Sequence, residues 1–164
     1  MAAVTIWYLQ MQTESELRSK DRPAALILVE AEIKQYQFNR FLYQLVGASW
    51  QWTDKLSISD QQWQSYAEAD NLRTWVGWCQ GSPAGYFELR KDPNGDIEIC
   101  YFGLAEKFIS RGFGGYLLSA ALQQAWNWQA GRVIVNTCSL DHPGALANYQ
   151  ARGMSIYKTE TSAN

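Results

Sequence analysis

Two places in this sequence carry residues whose types and spacing could do chemistry. The first is a glycine-rich turn that carries an arginine, Arg111-Gly112-Phe113-Gly114-Gly115, set between a strand expected over 97–104 and a helix expected to begin near Tyr116. The first turn of a helix leaves backbone N–H groups without partners and holds the positive end of the helix dipole. Glycines keep side chains out of the way of an incoming anion, so strand, glycine turn and helix together make an anion cradle, with Arg111 adding charge at its lip. The same glycines also fit a plain connection. A Walker loop would end in Gly-Lys-Ser/Thr, and a dinucleotide fingerprint would need an acidic residue about 20 residues on. No lysine follows these glycines directly, and the next expected strand carries Asn136 and Thr137.

The second place is Glu98, which interrupts an otherwise uncharged run, Ile97-Glu98-Ile99-Cys100-Tyr101-Phe102. A carboxylate buried there would have its pKa raised toward neutrality and would act as a general base. Two other arrangements stay open: a glutamate facing solvent, or one paired with Arg90 across the hairpin.

The segment Ile109-Ser110-Arg111-Gly112-Phe113-Gly114 resembles motif A of the GNAT superfamily, the acyl-CoA-dependent N-acyltransferases, whose signature is Gln/Arg-x-x-Gly-x-Gly/Ala. Ile109 departs from the usual Gln or Arg, and Arg111 is expected to compensate. The segment from Asn136 to Gly153, with Ala-Asn-Tyr-Gln-Ala-Arg-Gly at its end, resembles motif B, and the likeness runs over 74–158.

The resemblance implies a three-layer α/β sandwich: a central mixed, mostly antiparallel sheet with two splayed parallel strands, flanked by helices. It implies acetyl-CoA as donor, held by Arg111, Gly112, Phe113, Gly114, Gly115 and Tyr116, with pantetheine running between Phe102-Gly103-Leu104 and the strand carrying Asn136. Asn136 and Asn148 could add hydrogen bonds, and Gly103 would let the thioester approach. It also implies Glu98 as base and Tyr149 as the acid that protonates the leaving thiolate. A phenol with pKa near 10 suits that task, although a tyrosine at this helical spacing also suits a core. The expected activity is acetyl transfer to a primary amine by direct attack in a ternary complex. A non-catalytic acyl-CoA-binding module of the same fold is the alternative.

Residues 1–72 match the family loosely and are expected to bind the acceptor, and 74–158 the coenzyme, within one domain spanning 1–164. Tyr43, Trp50, Trp52 and Trp63 gather aromatics there with Asp54 beside them, which suits a cationic amine. They also suit a core, or the face of a homodimer.

These residues need a scaffold. Period-two runs predict strands over 4–11, 24–31, 74–80, 84–90, 97–104, 133–140 and 155–160, the middle three as an antiparallel meander. Phe38, Leu42, Leu45 and Val46 recur at helical spacing, closed by Gly47 or Ser49. A loop follows at 50–54. Ser59 with Gln62 forms a capping box for a second helix bearing Trp63, Tyr66 and Ala67. A third helix buries Leu117, Leu118, Ala121, Leu122 and Ala125, and Gly131 ends it. The fourth is expected to be capped by Asp141 or His142, with Pro143 in its first turn, and to end at Gly153. The strand after the third helix should lie parallel to 97–104, and 161–164 should be a tail.

Composition narrows the classes. Net charge is −2, and the 14 Lys and Arg are scattered, so neither nucleic acid nor a membrane surface is an expected partner. No apolar stretch reaches about 18 residues, and the start carries no signal-peptide pattern, so a cytoplasmic protein is expected. Cys79, Cys100 and Cys138 read as reduced thiols. With His142 the only histidine and no CxxC, no metal site is expected.

Overall fold

The computed structural model describes residues 3–50 and 52–162. Gln51 of the expected loop and positions 163–164 of the expected tail lie outside the described residues.

Seven strands form one sheet: β1 (Val4–Met11), β2 (Ile27–Glu30), β3 (Leu72–Cys79), β4 (Ser82–Lys91), β5 (Asp96–Leu104), β6 (Arg132–Cys138) and β7 (Ser155–Ser162). Among the described residues four α-helices flank it: α1 (Tyr36–Gly47), α2 (Asp60–Ala67), α3 (Gly114–Asn127) and α4 (Ala145–Ala151). The spatial order is β2-β3-β4-β5-β6-β1-β7. β3, β4 and β5 make the expected antiparallel meander. Among the described residues the one parallel pair is β5 with β6, on either side of the α3 crossover.

The sheet separates two apolar layers, which gives the three-layer sandwich. On one face Leu117, Leu118, Ala121, Leu122 and Ala125 of α3 pack with Phe87, Leu89, Ile97, Ile99, Val133 and Val135. On the other, Leu42 and Val46 of α1 meet Val76 and Tyr86. Burial of this kind is the main favourable term in folding.

Local signals set the helix ends. Ser59 Oγ accepts from the backbone N–H of Gln62 and Gln62 Oε1 from that of Ser59, so the capping box at α2 is closed on both sides. α4 differs from expectation. It begins at Ala145, after Pro143, while His142 Nδ1 accepts from the Gly144 N–H and so orders the turn before it. Asp141 serves the end of β6 instead, where its Oδ2 accepts from Thr137 Oγ1 and the Cys138 N–H. β2 is shorter than the run 24–31 and β7 longer than 155–160, reaching into the expected tail. Leu45, expected to face the core, is 37% exposed, and Asn39 takes an inward position on α1.

The place of β1 carries the architecture's largest departure from sequence order. The first strand pairs antiparallel with β6 on one side and β7 on the other, so Val4–Met11 becomes an interior strand on the far side of the parallel pair.

Ser59→Ala should lower stability by about 1 kcal/mol through loss of the α2 cap. Urea unfolding would show it as a lower midpoint at unchanged slope, and an unchanged midpoint would mean that tertiary packing alone holds this helix.

Candidate functional site

β5 and β6 stay paired only from Asp96↔Arg132 to Glu98↔Ile134, although β5 continues to Leu104 and β6 to Cys138. Beyond Glu98 the two strands part. A cavity of about 900 Å³ fills the gap and runs from the glycine turn to the α1–α2 face of the sheet.

At one end, Gly112, Phe113, Gly114 and Gly115 line it. Gly112 has φ +80°, a conformation that other residues adopt only with strain. No side chain caps the start of α3, so its first N–H groups face the cavity end without a capping partner among the described residues. Asn148 Nδ2 donates to the Gly114 carbonyl at 3.1 Å and thereby ties α4 to the cradle. Arg111 departs from expectation: its guanidinium lies over the Phe108 ring at 5.1 Å and is not among the cavity's walls. Tyr116 packs against the apolar cluster of Phe108 and Phe113, and it too stands outside the cavity lining.

Arg152 brings charge against the first turn of α3, although it too is not among the cavity's walls, and sequence reasoning passed it over. The residue is 8% exposed, and its Nε and Nη1 are buried with no hydrogen-bond partner among the described residues. Its Nη1 stands 2.6 Å from where a Cβ on Gly115 would be, and Lys20 Cδ 2.7 Å from the same point. The bareness of Gly115 therefore admits two cationic side chains against the first turn of α3. A buried guanidinium without a counter-charge is costly, and an anion in the cradle would relieve it.

Along the gap, Phe102, Gly103, Leu104 and Asn136 all line the cavity, as does Tyr149. Gly103 has a second use: a Cβ there would come within 2.6 Å of Val46 Cγ1 and 3.5 Å of the Trp52 ring, so the glycine lets the α1 layer approach. Tyr149 is buried against Phe102, and burial, reinforced by Asp141, pushes its pKa well above that of a free phenol. It stays protonated across the physiological range.

At the far end, Glu98 lines the cavity and also pairs with Arg90 at 2.8 Å, so two of the arrangements open for it hold together. Burial raises its pKa; the neighbouring Arg90 opposes the rise, and Asp92 adds to it. A bulge helps to place these groups: β4 and β5 shift register between Glu88↔Tyr101 and Leu89↔Ile99, leaving Cys100 as the extra residue. Burial holds the Cys100 thiol at a pKa of about 12, which keeps it from acting as a thiolate nucleophile.

Trp50, Trp52 and Asp54 line the cavity where it reaches the α1–α2 face of the sheet. Trp50 meets His142 edge to face at 5.0 Å between ring centroids, which bridges the loop after α1 to the approach to α4. Asp54 is fixed by two phenols: Tyr43 Oη donates to its Oδ1 at 2.8 Å, and Tyr101 Oη donates to Oδ2. Tyr43 itself is buried behind this carboxylate and is not a cavity wall; burial lifts its pKa to about 12. Trp63 is likewise core.

Sequence reading missed a second carboxylate. Glu88 is fully buried beneath the α1–α2 layer, accepting from Tyr66 Oη at 2.6 Å and Asn39 Nδ2 at 2.8 Å. Burial raises its pKa, against the pull of those two hydrogen bonds and of Lys55. The signal was present, since Gly85-Tyr86-Phe87-Glu88-Leu89 is an apolar run broken by one charge, the same criterion that singled out Glu98.

Among the described residues no three His, Cys, Asp or Glu are grouped to hold a metal ion, and no helix is long and apolar enough to cross a membrane.

Residues 33–154 match the model of the acetyltransferase (GNAT) family. No curated protein matches the chain significantly. Among solved structures, a GCN5-related N-acetyltransferase from Sphaerobacter thermophilus superposes with a TM-score of 0.71 at 14% identity, over 96% of this chain and 50% of that one. Another from Kribbella flavida gives 0.66 at 14% identity, over 94% and 55%. The chain thus spans about half the length of these two. An aminoglycoside acetyltransferase from an uncultured soil metagenomic sample gives 0.63 at 16% identity, over 78% of this chain and 87% of that one. At these identities the likeness is one of fold.

The raised pKa of Glu88 has a consequence for stability. Between the ordinary carboxylate range and its native value, the folded protein holds a proton that the unfolded chain has lost, so stability falls as pH rises through that window. Glu88→Gln should flatten this part of the profile relative to the parent protein in urea unfolding at several pH values. Parallel profiles would show Glu88 ionised in the fold at all of them.

Proposed function

Because the chain belongs to the acetyltransferase (GNAT) family, we propose that it transfers an acetyl group from acetyl-CoA to a primary amine by direct attack within a ternary complex. The observation that carries this reading is the single cavity that joins an uncapped helix N-terminus, a gap between two parting strands and a face bearing carboxylates and aromatic rings.

The residues fit the coenzyme. Its phosphates would lie at the first turn of α3, where Gly112 and Gly114 clear the approach, the helix dipole favours an anion, and Arg152 and Lys20 meet over Gly115. Arg152, rather than Arg111, would offset the missing polar side chain at Ile109. The pantetheine arm would run between Phe102-Gly103-Leu104 and Asn136. Bound there, the coenzyme supplies an activated acetyl group as a thioester.

The chain's own groups would handle the protons. An incoming ammonium must lose a proton before nitrogen can attack, and Glu98, with its pKa raised by burial, would accept it directly or through a water. As the new C–N bond forms and the C–S bond breaks, the departing sulfur needs a proton. Tyr149 holds one at its phenol oxygen and lies on the same cavity. Backbone N–H groups of β5 along the gap, no longer paired with β6, would stabilise the oxyanion. Asp54, fixed by two tyrosines, would supply negative charge to the acceptor's approach.

Calorimetric titration with acetyl-CoA and with free coenzyme A, followed by an amine panel, tests the reading. Binding of neither ligand would overturn it. Tyr149→Phe should lower kcat by about 10²-fold or more with coenzyme Kd unchanged, and equal turnover would remove Tyr149 from the mechanism. Arg152→Met should raise Tm, since it removes an uncompensated buried charge, while weakening coenzyme binding about tenfold through loss of one charge-assisted contact. A fall in Tm with unchanged Kd would make Arg152 purely structural.

A further inference from the structure

The acceptor side of the cavity already holds an alkylammonium group, and the chain itself supplies it. Lys55 Nζ stands 3.2 Å from the centroid of the Tyr66 ring, 4.2 Å from that of Tyr101 and 5.6 Å from that of Trp63. Three aromatic faces around one ammonium make a cation cage. The carboxylates nearby are engaged elsewhere: Asp54 by Tyr43 and Tyr101, Glu88 by Tyr66 and Asn39, and Glu98 by Arg90. Among the described residues Lys55 makes one hydrogen bond, from its backbone N–H to Tyr43 Oη, and none from Nζ. Aromatic faces and the field of nearby carboxylates are what hold its charge, while burial presses its pKa downward.

Lys55 belongs to a turn in the connection between α1 and α2, outside any helix or strand. Its side chain can leave the cage without breaking a ladder of backbone hydrogen bonds. Tyr66 and Tyr101, by contrast, project from α2 and β5, so the cage persists when its occupant leaves. Tyr66, Tyr101 and Lys55 all line the cavity that Glu98 and Tyr149 also line.

We propose that this cage is the ammonium subsite for the acceptor, that Lys55 is its tethered occupant, and that the acceptor is a linear primary alkylamine which displaces it. The proposal rests on the amine-acceptor reading above and narrows it. The lysine side chain shows what fits: an unbranched four-carbon stem ending in a compact ammonium, closely apposed to a ring face. A branched or sugar-borne amine would not enter so far. Tethering also sets a threshold, because an intramolecular competitor acts at an effective concentration of about millimolar and weakens the apparent affinity of any free amine.

The test uses n-butylammonium chloride, titrated into coenzyme-free protein and read by calorimetry and tryptophan fluorescence. Lys55→Ala and Lys55→Gln should each bind it at least tenfold more tightly than the parent protein, and n-butanol, the same stem without the charge, should show no such gain. Thermal melts establish that both variants are folded. Equal affinity for n-butylammonium in the parent protein and both folded variants would overturn the proposal, as would an equal gain for n-butanol. Because no coenzyme is present, failure here is separable from failure of acetyl transfer. A gain in amine binding without acetylation of n-butylamine, when acetyl-CoA binds and another amine of the panel is acetylated, would overturn the assignment of the cage to the acceptor; no acetylation of any amine would count against the transferase reading instead.

Discussion

The parting of β5 and β6 after Glu98 is the constraint on which the site depends. Each strand is held on its outer side, β5 by β4 and β6 by β1, so neither can close the gap by sliding. Their inner edges beyond Glu98 and Ile134 therefore present backbone donors and acceptors that do not pair across the sheet. Buried backbone polar groups require partners, and an extended, amide-bearing ligand would provide them in the manner of a strand. The same separation opens a passage between the two faces of the sheet, so a ligand entering beside α3 can meet another arriving from α1 and α2.

Around this gap the protein keeps charges in places where water is scarce. Glu88 lies under the α1–α2 layer with two hydrogen-bond donors, Lys55 sits among aromatic rings, and Arg152 faces the bare backbone of Gly115. Each is costly in isolation, because ions lose hydration on burial. Lys55 lines the cavity itself, whereas Glu88 and Arg152 lie behind its two ends, a carboxylate behind the aromatic face and a cation behind the first turn of α3. Electrostatic interactions inside such a cavity are stronger than in water, so a few fixed groups suffice to orient both ligands.

Much of this was legible along the chain. Period-two and helical patterns placed the seven strands and four α-helices, though not the short 3-10 turns at Glu14–Glu16, Ala48–Trp50 and Glu106–Phe108, the capping box at Ser59 marked α2, and the glycine spacing marked the turn before α3. Glu98 stood out as a lone charge in an apolar run. Glu88 satisfied the same criterion yet went unremarked, because no family motif drew attention to β4. Arg111 and Arg152 show the opposite error. An arginine adjacent to the cradle in sequence turned onto Phe108, whereas one from the end of α4 reached the cradle through space.

The sequence by itself determined the elements, because side-chain periodicity and capping are local, and it determined the glycine turn before α3, because glycine spacing acts on the backbone where it occurs. Tertiary structure alone decided that β1 runs between β6 and β7, since strand pairing joins residues far apart in the chain and period two cannot name a partner. It alone decided which charges are buried and what they face. That Lys55 lies within a ring of aromatic side chains, and that Arg152 lies over Gly115, follows from packing between elements, and packing is set by the whole fold rather than by any single stretch of it.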